Sequence, residues 1–317
     1  MNGMRFLAAC GMIAATLTAA QARPRLLDRL LGAPAEQSET TGGAVAKTLS
    51  VGGLERSYLL LDHRRGTGPA PLVIVLHGGG GSPETMIPRW EARARASGLV
   101  VAAPKGIGRN DRMGTWNAGG CCGEAVARGV DDVGFVAAVI DDVARQVPID
   151  GRRVYVAGFS NGGMLTHRVA IALGDRIAAA AVVSGALFGN EPAPRAPVPM
   201  LIMHGEQDPV VGFEGGMSGT GFVARAQTLR FEPVRHAVDF WRAANGCARP
   251  ASVTRQPGLT TETGTGCRGN ADVVFLDLPQ GGHGWPGSGG RLAGGAAGTA
   301  PIDATDTIWT FFKAHAR

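Results

Sequence analysis

Gly158-Phe159-Ser160-Asn161-Gly162 sets a serine between two glycines, directly after a β-branched run (Val154, Tyr155, Val156). A helix-like segment, Met164 to Leu173, follows at once. A serine hydroxyl can attack a carbonyl carbon when it stands at the tip of a tight strand-to-helix turn, within reach of a base and of backbone N–H donors. Such a turn imposes strained φ/ψ on the serine and crowds the positions two residues to either side, so both must be glycine. With 49 glycines in the chain the pentapeptide alone is a weak signal, yet no other serine fits it. Ser160 is therefore the candidate nucleophile.

A serine nucleophile needs a histidine to take its proton and a carboxylate to orient that histidine. On this type of elbow the order along the chain is serine, acid, histidine. Five histidines follow Ser160. His167 lies seven residues into the helix after the elbow, His204 precedes every good acid, and His236 and His315 fall on helices. His283 sits in Gln280-Gly-Gly-His-Gly-Trp-Pro286, a flexible loop after the last strand, where the base belongs. The acid should follow a strand and precede this loop. Asp208 does so, just beyond Val198–Met203 and stiffened by Pro209, with Glu206 as its rival; Asp272 and Asp277 belong to the last strand. Two aimed N–H donors complete the set, one from Asn161 and one from His77-Gly78-Gly79-Gly80, Gly79 before Gly80. Trp116 and Trp285 are candidates to line the site as flat apolar surfaces, with core packing the competing role.

These residues need a scaffold, and the chain alternates strand and helix signals. Val45 to Leu61 reads as a hairpin broken at Gly52-Gly53, and Pro71–Leu76 as a strand buried on both faces. Helices are expected at 84–97, 131–147, 234–244 and 303–315, and further strands at 99–103, 177–183, 198–203 and 272–278. Asp131 and Asp132 suit the positive end of their helix and read as caps. This alternation implies one α/β domain over 45–317, a mostly parallel sheet flanked by helices. Residues 212–232 read as a Gly-rich flap beside the site. Pocket shape would depend on 105–129, 212–232 and 286–300.

Composition excludes several classes. Hydrophobic residues make up 44% of 317, enough for a soluble globular core, and the net charge of +5 is scattered, with His63-Arg64-Arg65 the longest cluster. A nucleic-acid partner is not expected. Arg5, the apolar stretch Phe6–Ala19 and Ala20-Gln21-Ala22 read as a signal peptide cleaved after Ala22, too short and Ala/Thr-rich for a membrane span, with 23–44 a linker or disordered lead-in. Lipidation at Cys10 is the lesser alternative. The mature chain is then secreted or periplasmic, and Cys121, Cys122, Cys247 and Cys267 meet an oxidising compartment. Cys121 and Cys122 are either a vicinal disulfide or two separate half-cystines. Cys247 and Cys267 flank a 19-residue Gly/Thr-rich loop, and closing it would stabilise the fold by roughly 3 kcal/mol. The cysteines lack paired zinc spacing, and no metal or cofactor is expected.

Several motifs, in order, carry a likeness: H-G-G-G-G (77–81), W-N-A-G-G-C-C-G (116–123), V-D-D-V-G-F (130–135), G-F-S-N-G-G-M (158–164), H-G-E-Q-D-P-V (204–210) and G-G-H-G-W-P-G (281–287). Over about residues 45–315 the chain resembles the secreted polyhydroxybutyrate depolymerase and feruloyl esterase family. The resemblance implies an α/β-hydrolase fold, carboxylic-ester hydrolysis, Ser160, Asp208 and His283 as a triad, and a Cys247–Cys267 disulfide. It departs at Gly79, where many members carry a larger residue. A serine peptidase on the same fold and a non-catalytic glycan- or polymer-binding protein are the alternatives. Within esterases, oligoesters of hydroxybutyrate type, feruloylated or acetylated xylan and small synthetic esters all stay open.

Overall fold

Strands that are apolar along their whole length can only be stable with both faces covered, and three of the central ones here meet that condition: β3 (Ala70–Leu76), β4 (Val100–Pro104) and β6 (Ala179–Val183) are buried throughout. A computed structural model describes Met1 and residues 43–109, 113–248, 251–287 and 301–317. The elements it contains belong to the unit Gln37–Arg317. Beyond Met1, the expected signal peptide, the alternative lipidation at Cys10 and most of the expected 23–44 lead-in fall outside the described residues.

The opening hairpin is β1 (Val45–Val51) and β2 (Leu54–Asp62), joined at Gly52-Gly53, both at positive φ. After β3 come helix α1 (Ile87–Ser97), β4, the short helix α2 (Gly123–Ala127) and α3 (Asp132–Gln146). Strand β5 (Ile149–Phe159) leads through the elbow into α4 (Asn161–Ala172), and β6 and β7 (Met200–Gly205) follow. Then come α5 (Gly221–Ala226), α6 (Val234–Asn245), β8 (Ser252–Gln256), β9 (Leu259–Gly264), β10 (Val273–Leu278) and α7 (Ala304–Phe312).

The sheet order is β1-β2-β4-β3-β5-β6-β7-β10-β9-β8, and the run from β4 to β10 is parallel. Antiparallel pairs close both ends, β1-β2-β4 on one side and β10-β9-β8 on the other. One face packs on α3, α4 and α6 through Phe135, Val139, Leu165 and Trp241, and the other on α1 and α7 through Trp90, Ile308 and Phe312. The parallel α/β expectation holds.

Three local readings change. The segment between Cys247 and Cys267, expected as a loop, contains the β8–β9 hairpin that extends the sheet. Residues 212–232, expected as a flap, carry α5, close on themselves through a Gly216–Phe231 bridge, and are tied to the 120 loop by Thr228 N–H donating to Gly120 O at 2.9 Å. Of the two expected helix caps, Asp131 does cap α3, accepting from Gly134 N–H at 2.8 Å. Asp132 is instead fully buried, pairs with Arg56 at 2.7 Å and accepts from Asn117 N–H at 2.7 Å, tying β2 and the 117 loop to the start of α3.

Cys247 bonds Cys267, and Cys121 bonds Cys122 across a cis peptide. The first bridge ties the end of α6 to the end of the β8–β9 hairpin. Replacing Cys247 and Cys267 together by serine is expected to lower unfolding stability by about 3 kcal/mol, through the restored freedom of the unfolded loop. Denaturant unfolding beside wild type measures it; an unchanged midpoint contradicts it.

Candidate active site

Ser160 stands at the junction of β5 and α4 with φ 54° and ψ −122°, a backbone conformation that costs a non-glycine residue about 1–3 kcal/mol. The flanking glycines are required by contact. A Cβ on Gly158 would lie 2.2 Å from Gly162 O, and one on Gly162 would lie 2.4 Å from His77 O and 2.5 Å from Leu76 O. The elbow is thus wedged between the end of β3 and its own helix, and that crowding holds the serine in place.

His283 comes off the loop after β10, and its Nε2 lies 3.0 Å from Ser160 Oγ. Its Nδ1 donates to Asp208 Oδ2 at 2.8 Å, which leaves Nε2 to accept the serine proton. The ring also rests on Phe159, 4.9 Å between centroids. Asp208, in the turn after β7, is buried; its Oδ1 accepts from the N–H groups of Val210 and Val211, both at 2.8 Å. Burial alone would push this carboxyl up, but the neighbouring His204 and the hydrogen-bonded His283 hold it well below the usual carboxylate range, so it stays charged. The structure thus brings Ser160, His283 and Asp208 together.

The rival acid, Glu206, turns away toward Asp277. Asp277 is pushed up to about 6, by burial first and by Glu206 second, against Arg235 and His204, which lower it. The fold therefore keeps a proton that the unfolded chain releases near pH 4. Stability from this group is fullest below that value and is lost as pH rises through about 6. Asp277→Asn cannot ionise, so its melting temperature is expected to gain on wild type as pH rises from about 4 to about 6. A difference constant across that range contradicts this.

Three other histidines, His167, His77 and His204, are held by the scaffold. His167 is fully buried, accepts from Trp241 Nε1 at Nδ1 (3.0 Å), and is pushed down to about 3 by burial. His77 is pushed down to about 4 by burial; its Nδ1 donates to Gly78 O at 2.8 Å and its Nε2 accepts from Gly106 N–H at 3.0 Å. It locks the glycine loop from below. His204 is the residue that elimination by chain order passes over. Its Nε2–H donates to Val211 O at 2.7 Å and lies 3.5 Å from Asp208 Oδ2, so it holds the acid's turn against β7. The signal for it was its place four residues before Asp208, at the end of a strand.

Gly79 packs against Asn161, a Cβ there standing 3.5 Å from Asn161 Cβ, and its N–H has no partner among the described residues. Gly80 N–H is engaged by Gly114 O at 2.8 Å. That ranks Gly79 above Gly80 as a donor. Asn161 opens α4, so its own N–H lacks an intrahelical acceptor. Its side chain is tied in by Trp116 N–H to Oδ1 at 2.7 Å and by Nδ2 to the carbonyls of Trp116 and Cys121.

The two tryptophans do not line the site. Trp116 is fully buried, donates from Nε1 to His77 O at 2.8 Å and lies 4.7 Å from the His77 ring, centroid to centroid. Trp285 is buried against α7, its Nε1 donating to Thr305 Oγ1 at 3.0 Å. Both indoles are consumed by the scaffold, one under the glycine loop and one behind the His283 loop.

A serine on a strand–elbow–helix turn, with its histidine and acid on loops at the carboxyl ends of a mostly parallel sheet, defines an α/β-hydrolase. The fold matches the acetyl xylan esterase from Aspergillus awamori with a TM-score of 0.58 over 84% of this chain and 98% of that one, at 15% identity, which shows the fold alone. Residues 65–214 match the family described as Esterase PHB depolymerase. A protein of Nocardia uniformis subsp. tsuyamanensis named "Putative esterase NocK" is 30% identical over 76% of this chain and 74% of its own. "Feruloyl esterase B" of Piromyces equi is 32% identical over 68% of this chain, which spans only 39% of that relative. The chain belongs to the PHB depolymerase esterase family, a family of carboxylic ester hydrolases.

Proposed function

We propose that this protein is an exported serine esterase that works through an acyl-enzyme on Ser160 and cleaves oligoesters of hydroxybutyrate type or feruloyl and acetyl esters of plant polysaccharide. The observation that carries the reading is the line Ser160 Oγ–His283 Nε2 at 3.0 Å and His283 Nδ1–Asp208 Oδ2 at 2.8 Å. His283 takes the Ser160 proton as Oγ attacks the ester carbonyl, and Asp208 keeps the imidazole in the tautomer that can do so. The tetrahedral oxyanion is held by the N–H groups of Gly79 and Asn161, each donor worth about 3 kcal/mol in the transition state. His283 returns the proton to the departing alcohol oxygen. Water, activated by the same histidine, then releases the acid. The substrate classes follow the family resemblance and the names of the relatives. Export rests on the pattern of residues 1–22, and two disulfides suit an oxidising compartment.

The test is labelling by a fluorophosphonate, followed by product analysis on a panel of feruloyl, acetyl and 3-hydroxybutyrate esters. Stoichiometric labelling at Ser160 and release of free acid from at least one ester class are expected. A chain that stays unlabelled and releases nothing only binds its polymer, and the reading falls.

A further inference from the structure

Beside the glycine loop lies a cavity of about 650 Å³, within the range of small-molecule sites. It opens at Gly80, one residue beyond Gly79, and runs between α2 and α5. Met113, Val126 and Phe222 give it apolar walls; Met113 is 47% and Phe222 61% exposed, an unusual degree of exposure for side chains of this size. Met113 Cε stands 3.6 Å from where a Cβ on Gly80 would be, so the cavity reaches the oxyanion loop itself.

Its position relative to the reacting atoms assigns the side of the ester it would take. The departing alcohol oxygen has to sit at His283 Nε2 to receive its proton. His283 and its loop are not part of this cavity, whereas the oxyanion loop is. The cavity adjoins the reacting atoms through Gly80, with Ser160 and Asn161 lying outside its lining as His283 does. Of the two sides of the ester, the acyl chain, which leads away from His283, is the one directed toward it.

The cavity is also charged. Among the described residues, Arg109 and Arg225 stand against a single carboxylate, Glu124, which is 3.7 Å from Arg109. Arg225 has no carboxylate partner among the described residues; its Nη1 folds back to 3.6 Å from the Cβ position of Gly221. On α5 it follows Phe222 by three residues and so shares its face. An apolar wall from the oxyanion loop thus ends in a guanidinium with no carboxylate partner among the described residues.

We propose that this cavity is an acyl subsite selecting acyl groups with a carboxylate at their far end, such as half-esters of dicarboxylic acids, and that Arg225 is the cation that recognises it. The proposal rests on the ester-hydrolase reading above. A guanidinium at this exposure gives a modest, salt-screened preference.

Kinetics on two matched substrates test it: mono-p-nitrophenyl adipate and p-nitrophenyl hexanoate, equal in acyl length and differing in the terminal carboxylate. The quantity read is the adipate-to-hexanoate ratio of kcat/KM, corrected for uncatalysed hydrolysis. Arg225→Gln is expected to lower this ratio about fivefold at low salt. Glu124→Gln is expected to raise it. In wild type the ratio should fall in about 0.5 M sodium chloride, where the screening length is about 4 Å. A ratio unmoved by Arg225→Gln, including one in which both activities fall together, overturns the subsite while leaving the esterase reading intact. If wild type hydrolyses neither ester and resists a fluorophosphonate, the esterase reading fails and the subsite with it.

Discussion

Ser160→Ala is expected to lower kcat on p-nitrophenyl acetate and butyrate by about a million-fold, with KM and melting temperature close to wild type. The size follows from what the hydroxyl does alone. Without Oγ there is no acyl-enzyme, and His283 has no serine proton to move. The N–H groups of Gly79 and Asn161 are untouched by the change, so catalysis about a thousand-fold over water should remain. The fold should survive because Oγ makes its hydrogen bond to His283 and the backbone of the turn is fixed elsewhere: Ser160 N–H donates to Val183 O at 2.8 Å, and Ser160 O accepts from Met164 N–H at 2.9 Å. Alanine inherits the φ of 54° and its strain. Steady-state rates and a thermal melt on the purified variant decide the matter. Equal turnover by variant and wild type would end the case for Ser160.

The elbow was legible because its requirement is steric and local. Gly158 and Gly162 are forced by contacts of under 2.5 Å that any turn of this kind creates, so sequence spacing alone announces them. The acid and base were legible for a topological reason: Asp208 and His283 follow β7 and β10, and loops at the carboxyl ends of parallel strands converge on one edge of the sheet.

What stayed hidden depends on which face a side chain turns to. Trp116 lies beside the glycine loop in space and Trp285 two residues from His283 in sequence, but their N–H groups are spent on His77 O and Thr305 Oγ1, which no spacing reveals. Asp132 looked like its neighbour Asp131, yet one turns outward to cap a helix and the other inward to Arg56. The β8–β9 hairpin escaped because β8 is exposed throughout and β9 is mostly half-buried, so neither carries the alternation that marks a strand with one buried face. His204 was set aside by chain order, although it touches the acid's turn.

The second large effect is expected at the acid, and the surroundings of Asp208 decide how its amide would sit. Asp208→Asn keeps the shape but must place one oxygen and one NH2 group. Two N–H donors, Val210 and Val211, converge on Oδ1 at 2.8 Å each, so the amide oxygen has to take that position. The NH2 group then faces His283 Nδ1, where Oδ2 accepted at 2.8 Å. To meet a donor there, His283 must offer a lone pair at Nδ1 and carry its proton on Nε2, the nitrogen 3.0 Å from Ser160 Oγ. A base with its proton already facing the nucleophile cannot take another. The expected loss is about ten-thousand-fold in kcat, with the fold retained. Asp208→Ala would be a poorer probe, since it strands the N–H groups of Val210 and Val211 and mixes a stability loss into the rate. Rates on p-nitrophenyl acetate beside a thermal melt separate the two effects. An Asn variant within tenfold of wild type would show that Asp208 does not set the tautomer, and the acid would have to be sought elsewhere.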